Sequence, residues 1–447
     1  MVVDGGEEGD SQEGGGDSDG DTDGDTDGDT DGDADADTDG DADTDTDGDT
    51  DGDSDGDTDT EDDSDTSDDD VHSFIWIANS VGGTLSKVDT VTATEVARYW
   101  TSPQKSKGDP SRTSVNMHGD MVVTNRQPNT GQASVTKFAA DEEDCIDRNN
   151  NGIKDTSTGP TNILEWGEDE CMIWNTPLPG ATGKNMGARA TAWNGREDSD
   201  TGKGGSVFIG TTGDVSGMSL QGPKKVFKLN GDDGTIVASN TLPGGAYGGA
   251  VDGKENGTFW IVSTGCPLQL SPMPMPGVNC VFIKVNMDTL ESTTVQNTCG
   301  YGISIDSKGR IWTAGSDCIQ RYDPEADEFK KLKVTGMARG IAVDGNGSVW
   351  TAMSGGDVIR VDEDAVTVIK RFAVGNGLNA SPISNSLVGM AVDYEGYIWA
   401  VSQGENAAHK IDPNTYQSAK VPVGIGPYTY SDMTGWQLKQ VVDPVVK

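Results

Sequence analysis

MARGIAVDGNGSVWTAMSGGDVIRVDED, Met337 to Asp364, is the stretch whose reading decides the fold. An apolar run leads into an Asp-Gly-Asn-Gly turn, a second run carries Trp350, a Gly-Gly turn follows, and a third run alternates until Arg360-Val361-Asp362. Short β-branched runs punctuated by Gly and Asn are a strong hairpin signal, so the stretch predicts a β-meander.

The phrase recurs. Its third run ends at Lys87-Val88-Asp89, Lys137-Phe138-Ala139, Lys228-Leu229-Asn230, Lys284-Val285-Asn286, Arg321-Tyr322-Asp323, Arg360-Val361-Asp362 and Lys410-Ile411-Asp412, which makes seven copies. The second run places Trp76, Trp260, Trp312, Trp350 and Trp399 at one position, with Val122 and Phe208 in the other two copies. Recurrence at this scale marks a repeat architecture. Each copy has room for about four short strands, the content of a propeller blade.

The first copy, from Phe74, lacks a first strand, while Gly426 to Gly435, GPYTYSDMTG, aligns with ARGIAVDGNG at the other end of the array. The expectation is an all-β, seven-bladed β-propeller over 71–447 whose C-terminal strand completes the first blade. Closure of that kind removes exposed sheet edges.

Residues 1–70 are a different polymer, with 34 acidic residues and no Lys or Arg, so the net charge of −43 divides into −34 there and −9 in the rest. From Asp17 to Asp59 every odd position is Asp, with Gly, Thr, Ser or Ala between. Without apolar surface to offset chain entropy, this segment is expected to be a disordered, charge-extended linker. Diffuse calcium binding by its carboxylates is the alternative. A chain this acidic offers no phosphate-binding surface, so nucleic acid is excluded as a partner.

The six cysteines fall in local pairs, Cys145 with Cys171, Cys266 with Cys280 and Cys299 with Cys318. None forms a CxxC, so disulfides are the better reading than a metal, although six cysteines allow 15 pairings. Disulfides imply an oxidising, extracellular or cell-surface location. No apolar segment reaches transmembrane length, and MVVDGGEEGD has no signal region. A signal peptide removed ahead of this numbering, with the acidic arm as spacer for a lipid-tethered head, is the expectation that reconciles these features.

The sharpest local motif lies in an insertion at about 140–171 of the second copy. Asp147, Asn149, Asn151 and Asp155 stand at places 1, 3, 5 and 9, with Gly152 at 6 and the Ile153 carbonyl at 7, the first nine places of an EF-hand type loop for structural Ca²⁺. The twelfth place is Thr158 where a Glu is usual, so Asp144, Glu165, Glu168 or Asp169 would have to supply that carboxylate, as in loops resembling those of dockerins and thrombospondin repeats. A plain Asn-Gly turn is the other reading.

The repeated tryptophans read as packing between blades. The repeated basic residues read as a solvated face. Aligned on Asp344, the copies put Pro427, Ser111, Arg189, Tyr247, Tyr301, Arg339 and Val388 around the channel mouth. Of these, Arg189, Tyr247, Tyr301 and Arg339 could hold an anionic or aromatic ligand, packing being the alternative.

The phrases GIAVDGNGSVWTA, GISIDSKGRIWTA and GMAVDYEGYIWAV, with endings VIRVD and HKID, resemble the streptogramin B (virginiamycin B) lyase and NHL-repeat propellers over about 71–447. The resemblance implies a channel-mouth His and Glu that open a lactone with magnesium. His72, His118 and His409 are the histidines of this chain, and none aligns with a ring position. The expected function is therefore a non-catalytic binding or interaction module for a protein, small molecule or glycan. The alternative is a lyase- or lactonase-like enzyme with a metal-assisted site at the mouth.

Overall fold

The Asp that opens each turn explains why the phrase runs from Asp to Trp in six to eight residues. Asp344 Oδ1 accepts the Asn346 and Ser348 N–H groups at 2.8 and 3.0 Å, and its Oδ2 accepts the Trp350 indole N–H at 2.8 Å. Asp306 with Trp312 at 2.8 Å, Asp393 with Trp399 at 2.7 Å and Asp252 with Trp260 at 3.4 Å repeat the device. One carboxylate thus closes the turn and satisfies an indole donor whose burial would otherwise be costly.

The computed structural model describes residues 73–127, 131–182, 187–216, 219–221, 223–254, 256–263, 280–374 and 386–435. Apart from the single turns Lys105–Lys107 and Glu142–Asp144, no helix is found among the described residues, and so none that could cross a membrane. The fold is an all-β propeller of antiparallel sheets. Phe74–Asn79, Thr84–Asp89 and Thr94–Trp100 make the first. Four-stranded sheets begin at Pro110–Val115, Ala188–Trp193, Ala246–Val251 and Leu387–Val392.

The count of sheets corrects the sequence expectation. Seven separate blades were expected, and among the described residues the seven copies occupy six sheets, beside a small hairpin of Asp214–Ser216 and Ser219–Gln221. The fifth and sixth copies share a six-stranded sheet because Glu328–Val343 runs unbroken from one into the other. Its Glu328–Lys333 half pairs with Asp323–Cys318, and its Ala338–Val343 half pairs with Met353–Val349.

Head and tail join, but not through the C-terminal strand expected to complete the first blade: residues 426–435 form no strand, and the first sheet keeps three. Trp76 N–H donates to the Met433 carbonyl at 2.9 Å, Tyr428 N–H to the Ala78 carbonyl at 2.8 Å, and Asn79 bridges Pro427. The other side of the tail segment is held by Thr429 and Ser431, whose hydroxyls bond Thr113 at 3.1 and 2.7 Å. One apolar cluster runs across this seam, uniting Trp399, Val401 and Val421 with Ile75, Ile77, Val88 and Met433.

The repeated basic residues are stitches rather than a solvated face. In five copies the basic residue lies across the strand pair from the aromatic: Lys87 from Trp76, Lys228 from Phe208, Lys284 from Trp260, Arg360 from Trp350 and Lys410 from Trp399. The Arg360 guanidinium stands 4.9 Å from the Trp350 ring and the Lys284 ammonium 5.1 Å from Trp260, within cation–π range. Their heads then bond the turn after the third strand of the next copy. Lys87 reaches the Ala140 carbonyl, Lys228 that of Met287 at 3.1 Å, Arg321 that of Glu363 at 2.8 Å and Arg360 that of Pro413 at 3.2 Å. Lys410, in the last copy, reaches back to the Thr90 carbonyl of the first at 2.7 Å.

Cys145–Cys171 and Cys299–Cys318 are disulfides. Cys280 is also disulfide-bonded, and its expected partner Cys266 lies outside the described residues, as does the acidic segment 1–70.

Candidate functional site

The innermost strands carry the site, and their irregularity is what builds it. Register shifts fall between Pro110 and Arg112, Ala188 and Ala190, Ala246 and Gly248, Ala338 and Ile341, and Leu387 and Gly389. The ring positions Ser111, Arg189, Tyr247, Arg339 and Val388 are therefore bulge residues, and a bulge re-aims its side chain. The next residue is Gly in four copies. A methyl group at Gly340 would meet the Gly389 backbone at 2.7 Å, and one at Gly389 would overlap the Thr429 carbonyl oxygen, so neighbouring inner strands touch here.

The other three copies have Arg112, Ala190 and Tyr428 at that place. The two large side chains complete a cluster of aromatic rings and guanidinium groups. Tyr301 packs 5.0 Å from Tyr247 and 4.6 Å from Tyr430, ring centre to ring centre. The Arg112 guanidinium lies 3.2 Å over Tyr430, and that of Arg189 lies 4.8 Å from Tyr247. Arg126 approaches Tyr428 at 5.3 Å. The Tyr428 hydroxyl is 2.6 Å from that of Tyr301 and 3.1 Å from that of Tyr247.

Of the sequence-predicted mouth residues, Arg189, Tyr247 and Tyr301 are neighbours in this cluster. Arg339 is at the edge, 5.9 Å from the Tyr301 ring, with one nitrogen on the Ser386 hydroxyl at 2.9 Å. Arg112, Arg126, Tyr428 and Tyr430 were not anticipated. The departure of Arg112 and Tyr428 from a repeated Gly was the signal that could have found them.

The charges do not balance. Arg126 is paired with Asp109, whereas Arg112 is fully buried and its hydrogen-bond partners are the Ser111 carbonyl and hydroxyl at 3.1 and 2.7 Å. Arg112 Nε and Nη2, and Arg189 Nε and Nη1, are buried donors with no hydrogen-bond acceptor. Burial lowers the Arg112 guanidinium to about 9, with Arg189 nearby adding to the effect, so it stays charged at neutral pH. Burial would raise the Tyr428 phenol, but Arg189 and then Arg112 outweigh it and bring that group down to about 7. Burial and the neighbouring Tyr428 push the Tyr247 phenol up to about 12, and burial also raises Tyr301 well above its ordinary value. Further along the channel, Asp432 lines two water-sized cavities of about 20 and 10 Å³, and burial pushes its carboxyl up to about 6.

In fold, the chain is similar to virginiamycin B lyase. The lyase from Staphylococcus aureus aligns with a TM-score of 0.48 at 14% identity, over 74% of this chain and 90% of that one. The dihydro-heme d1 dehydrogenase NirN in complex with DHE aligns at 0.47 and 11%, over 82% and 76%. AztD from Citrobacter koseri aligns at 0.44 and 12%, over 80% and 97%. No protein-family model and no curated protein matches the sequence. The likeness to virginiamycin B lyase is one of architecture, and the activities these names carry belong to those proteins.

Among the described residues, His118 and His409 bond partners outside the Arg–Tyr cluster. His118 Nε2 is 2.6 Å from Asp144 Oδ2 and its Nδ1 is 3.0 Å from the Ser199 carbonyl, with Asp141 completing a group whose ligand atoms lie within 4.8 Å. His409 Nε2 is 2.8 Å from Glu405. His72 lies outside the described residues.

In the 147–155 loop, Asp147 accepts the N–H groups of Asn151 and Gly152 at 3.2 and 3.0 Å. The Asn149 and Asn151 amides converge on Asp155 Oδ2 at 2.8 and 3.1 Å, and turned over, both would present oxygens to the same point. The exposed Ile153 is a turn residue whose N–H bonds Asn151 Oδ1 at 2.8 Å. Asp144, Glu165 and Asp169 are engaged by His118, Lys105 and Ser157. The buried Glu170, not singled out in the sequence, braces the loop by accepting the Arg148 N–H at 2.6 Å and the Asp155 N–H at 2.9 Å.

Proposed function

We propose that the propeller is a binding module that works outside the cytosol and takes a small anion, or the anionic group of an aromatic ligand, at the Arg–Tyr end of its channel. The observation that supports this most directly is the pair of buried guanidinium groups, Arg112 and Arg189, whose free donors meet no carboxylate. Buried charge is costly unless paired, and a planar guanidinium fork suits a carboxylate or sulfate. The rings of Tyr247, Tyr301 and Tyr430 supply apolar walls.

Calorimetric titration of the protein with sodium benzoate and sodium sulfate tests the reading. Arg189→Met and Arg112→Met keep bulk and remove charge, and each should weaken binding about 10- to 100-fold, the worth of a charged hydrogen bond. Undiminished affinity in both variants would remove the site.

The same reading keeps a structural calcium ion in the 147–155 loop, held by Asp147, Asn149, Asn151, the Ile153 carbonyl and Asp155. Substituting Asp147→Ala together with Asp155→Ala should abolish calorimetric calcium uptake by that loop, and unchanged affinity would rule the ion out there.

A further inference from the structure

Tyr428 is oddly placed for a core residue. It occupies a repeat position that is Gly in four copies, on the segment that closes the ring, and its oxygen is the point on which the cluster converges. Tyr301 and Tyr247 reach that oxygen at 2.6 and 3.1 Å, and the Arg189 guanidinium is the charge that acts on it most strongly. The charged groups facing it are Arg189 and Arg112 from the neighbouring inner strands and Arg126, which is itself balanced by Asp109.

Two phenols and a guanidinium around one oxygen form a cage for an oxyanion. Burial raises the Tyr247 and Tyr301 phenols, so toward an ionised Tyr428 oxygen both can only donate. A phenolate there partly answers the surplus positive charge of the arginines.

We propose that the Tyr428 oxygen stands in for a ligand's oxyanion: the ligand displaces it from Arg189, Tyr247 and Tyr301, and Tyr428 leaves the cage carrying a proton taken from solvent. This inference rests on the anion-binding reading above and adds its regulation. With a monovalent anion such as benzoate the charge of the site is conserved, one anion entering as one phenolate is protonated, whereas sulfate adds one further negative charge. Tyr428 is the member that can move, being partly exposed where Arg112, Tyr247 and Tyr301 are buried.

The linkage has a definite sign. Below the Tyr428 titration the phenol is already neutral and binding takes up no proton. Above it each anion bound takes up about one proton, and affinity falls about tenfold per pH unit.

Two measurements on the whole chain test the proposal. Ultraviolet difference titration of the ligand-free protein should show one tyrosine ionising near neutral pH, absent in Tyr428→Phe. Calorimetry with sodium benzoate and, separately, sodium sulfate at pH 8, in two buffers of different ionisation enthalpy, should give an uptake approaching one proton in the wild type and none in Tyr428→Phe. Tyr428→Phe should also bind both anions with a flat profile from pH 6 to 8.5. Anion binding without proton uptake overturns this inference and leaves the binding module standing. Failure of both anions to bind at any pH overturns the binding module and this inference together, whatever the titration shows. Absence of any tyrosine ionising below about pH 9 overturns the inference alone.

Discussion

Gly389→Ala is expected to destabilise the protein by about 3 kcal/mol or more, the upper range for overpacking, because the new methyl meets backbone rather than a movable side chain. The obstructing atom is the Thr429 carbonyl oxygen on the tail segment, and Val401 stands 3.2 Å away on the other side. Gly389 has no left-handed backbone conformation to preserve, so the effect isolates the space between the last inner strand and the closing segment. Gly355→Ala, at an exposed turn with nothing within 4 Å, is the control and should change stability by less than about 0.5 kcal/mol. Urea unfolding midpoints of the two variants decide the matter. Equal midpoints would mean that the tail does not seal the ring where the structure puts it.

Asp306→Ala should be the second large loss, about 3–5 kcal/mol, the cost of breaking a buried ion pair from one side. Asp306 is fully buried and accepts the Lys308 and Arg310 N–H groups at 3.0 Å each, the Arg310 Nε–H at 2.7 Å and the Trp312 indole at 2.8 Å. Its removal strands an indole donor and leaves Arg310 to Glu363 and Asp364 alone. Asp412→Ala removes a comparable turn acceptor, for the Asn414 and Thr415 N–H groups, at a half-buried residue whose two bonds are open to solvent. Water replaces that acceptor, so thermal unfolding of this variant should stay within about 1 kcal/mol of the parent.

What the sequence made legible was whatever repeats. The Trp positions, the third-strand endings and the approach of the tail to the first sheet follow from comparing copies, as do the mouth positions of Arg189, Tyr247 and Tyr301, but the tail docks through a single bridge and scattered backbone bonds instead of adding a strand. Arg112 and Tyr428 escaped because the mouth was read at the residue before theirs in each copy, and only the close approach at Gly340 and Gly389 shows how much a side chain there must be aimed elsewhere. The basic residues of the third strands were misread because a charge in an alternating pattern looks solvated, and stacking on the aromatic of the paired strand is not visible along the chain. Glu170 was missed for a simpler reason: it braces the 147–155 loop through backbone N–H groups, which carry no residue-type signature. The sharing of one sheet by the fifth and sixth copies depends on Glu328–Val343 continuing as one strand past Gly336, whose φ of 101° bends the chain without ending its pairing.

The tie from Lys410 to Thr90 has a consequence for how the molecule comes apart. In an open array of repeats the terminal units have a neighbour on one side alone and fray first, so melting spreads inward from two ends. A contact that the last copy makes on the first, of the same kind that the sixth makes on the seventh, leaves no terminal unit to begin from. Opening any one seam then exposes apolar surface on both of its faces, and cooperativity becomes a property of circular order rather than of any single interface.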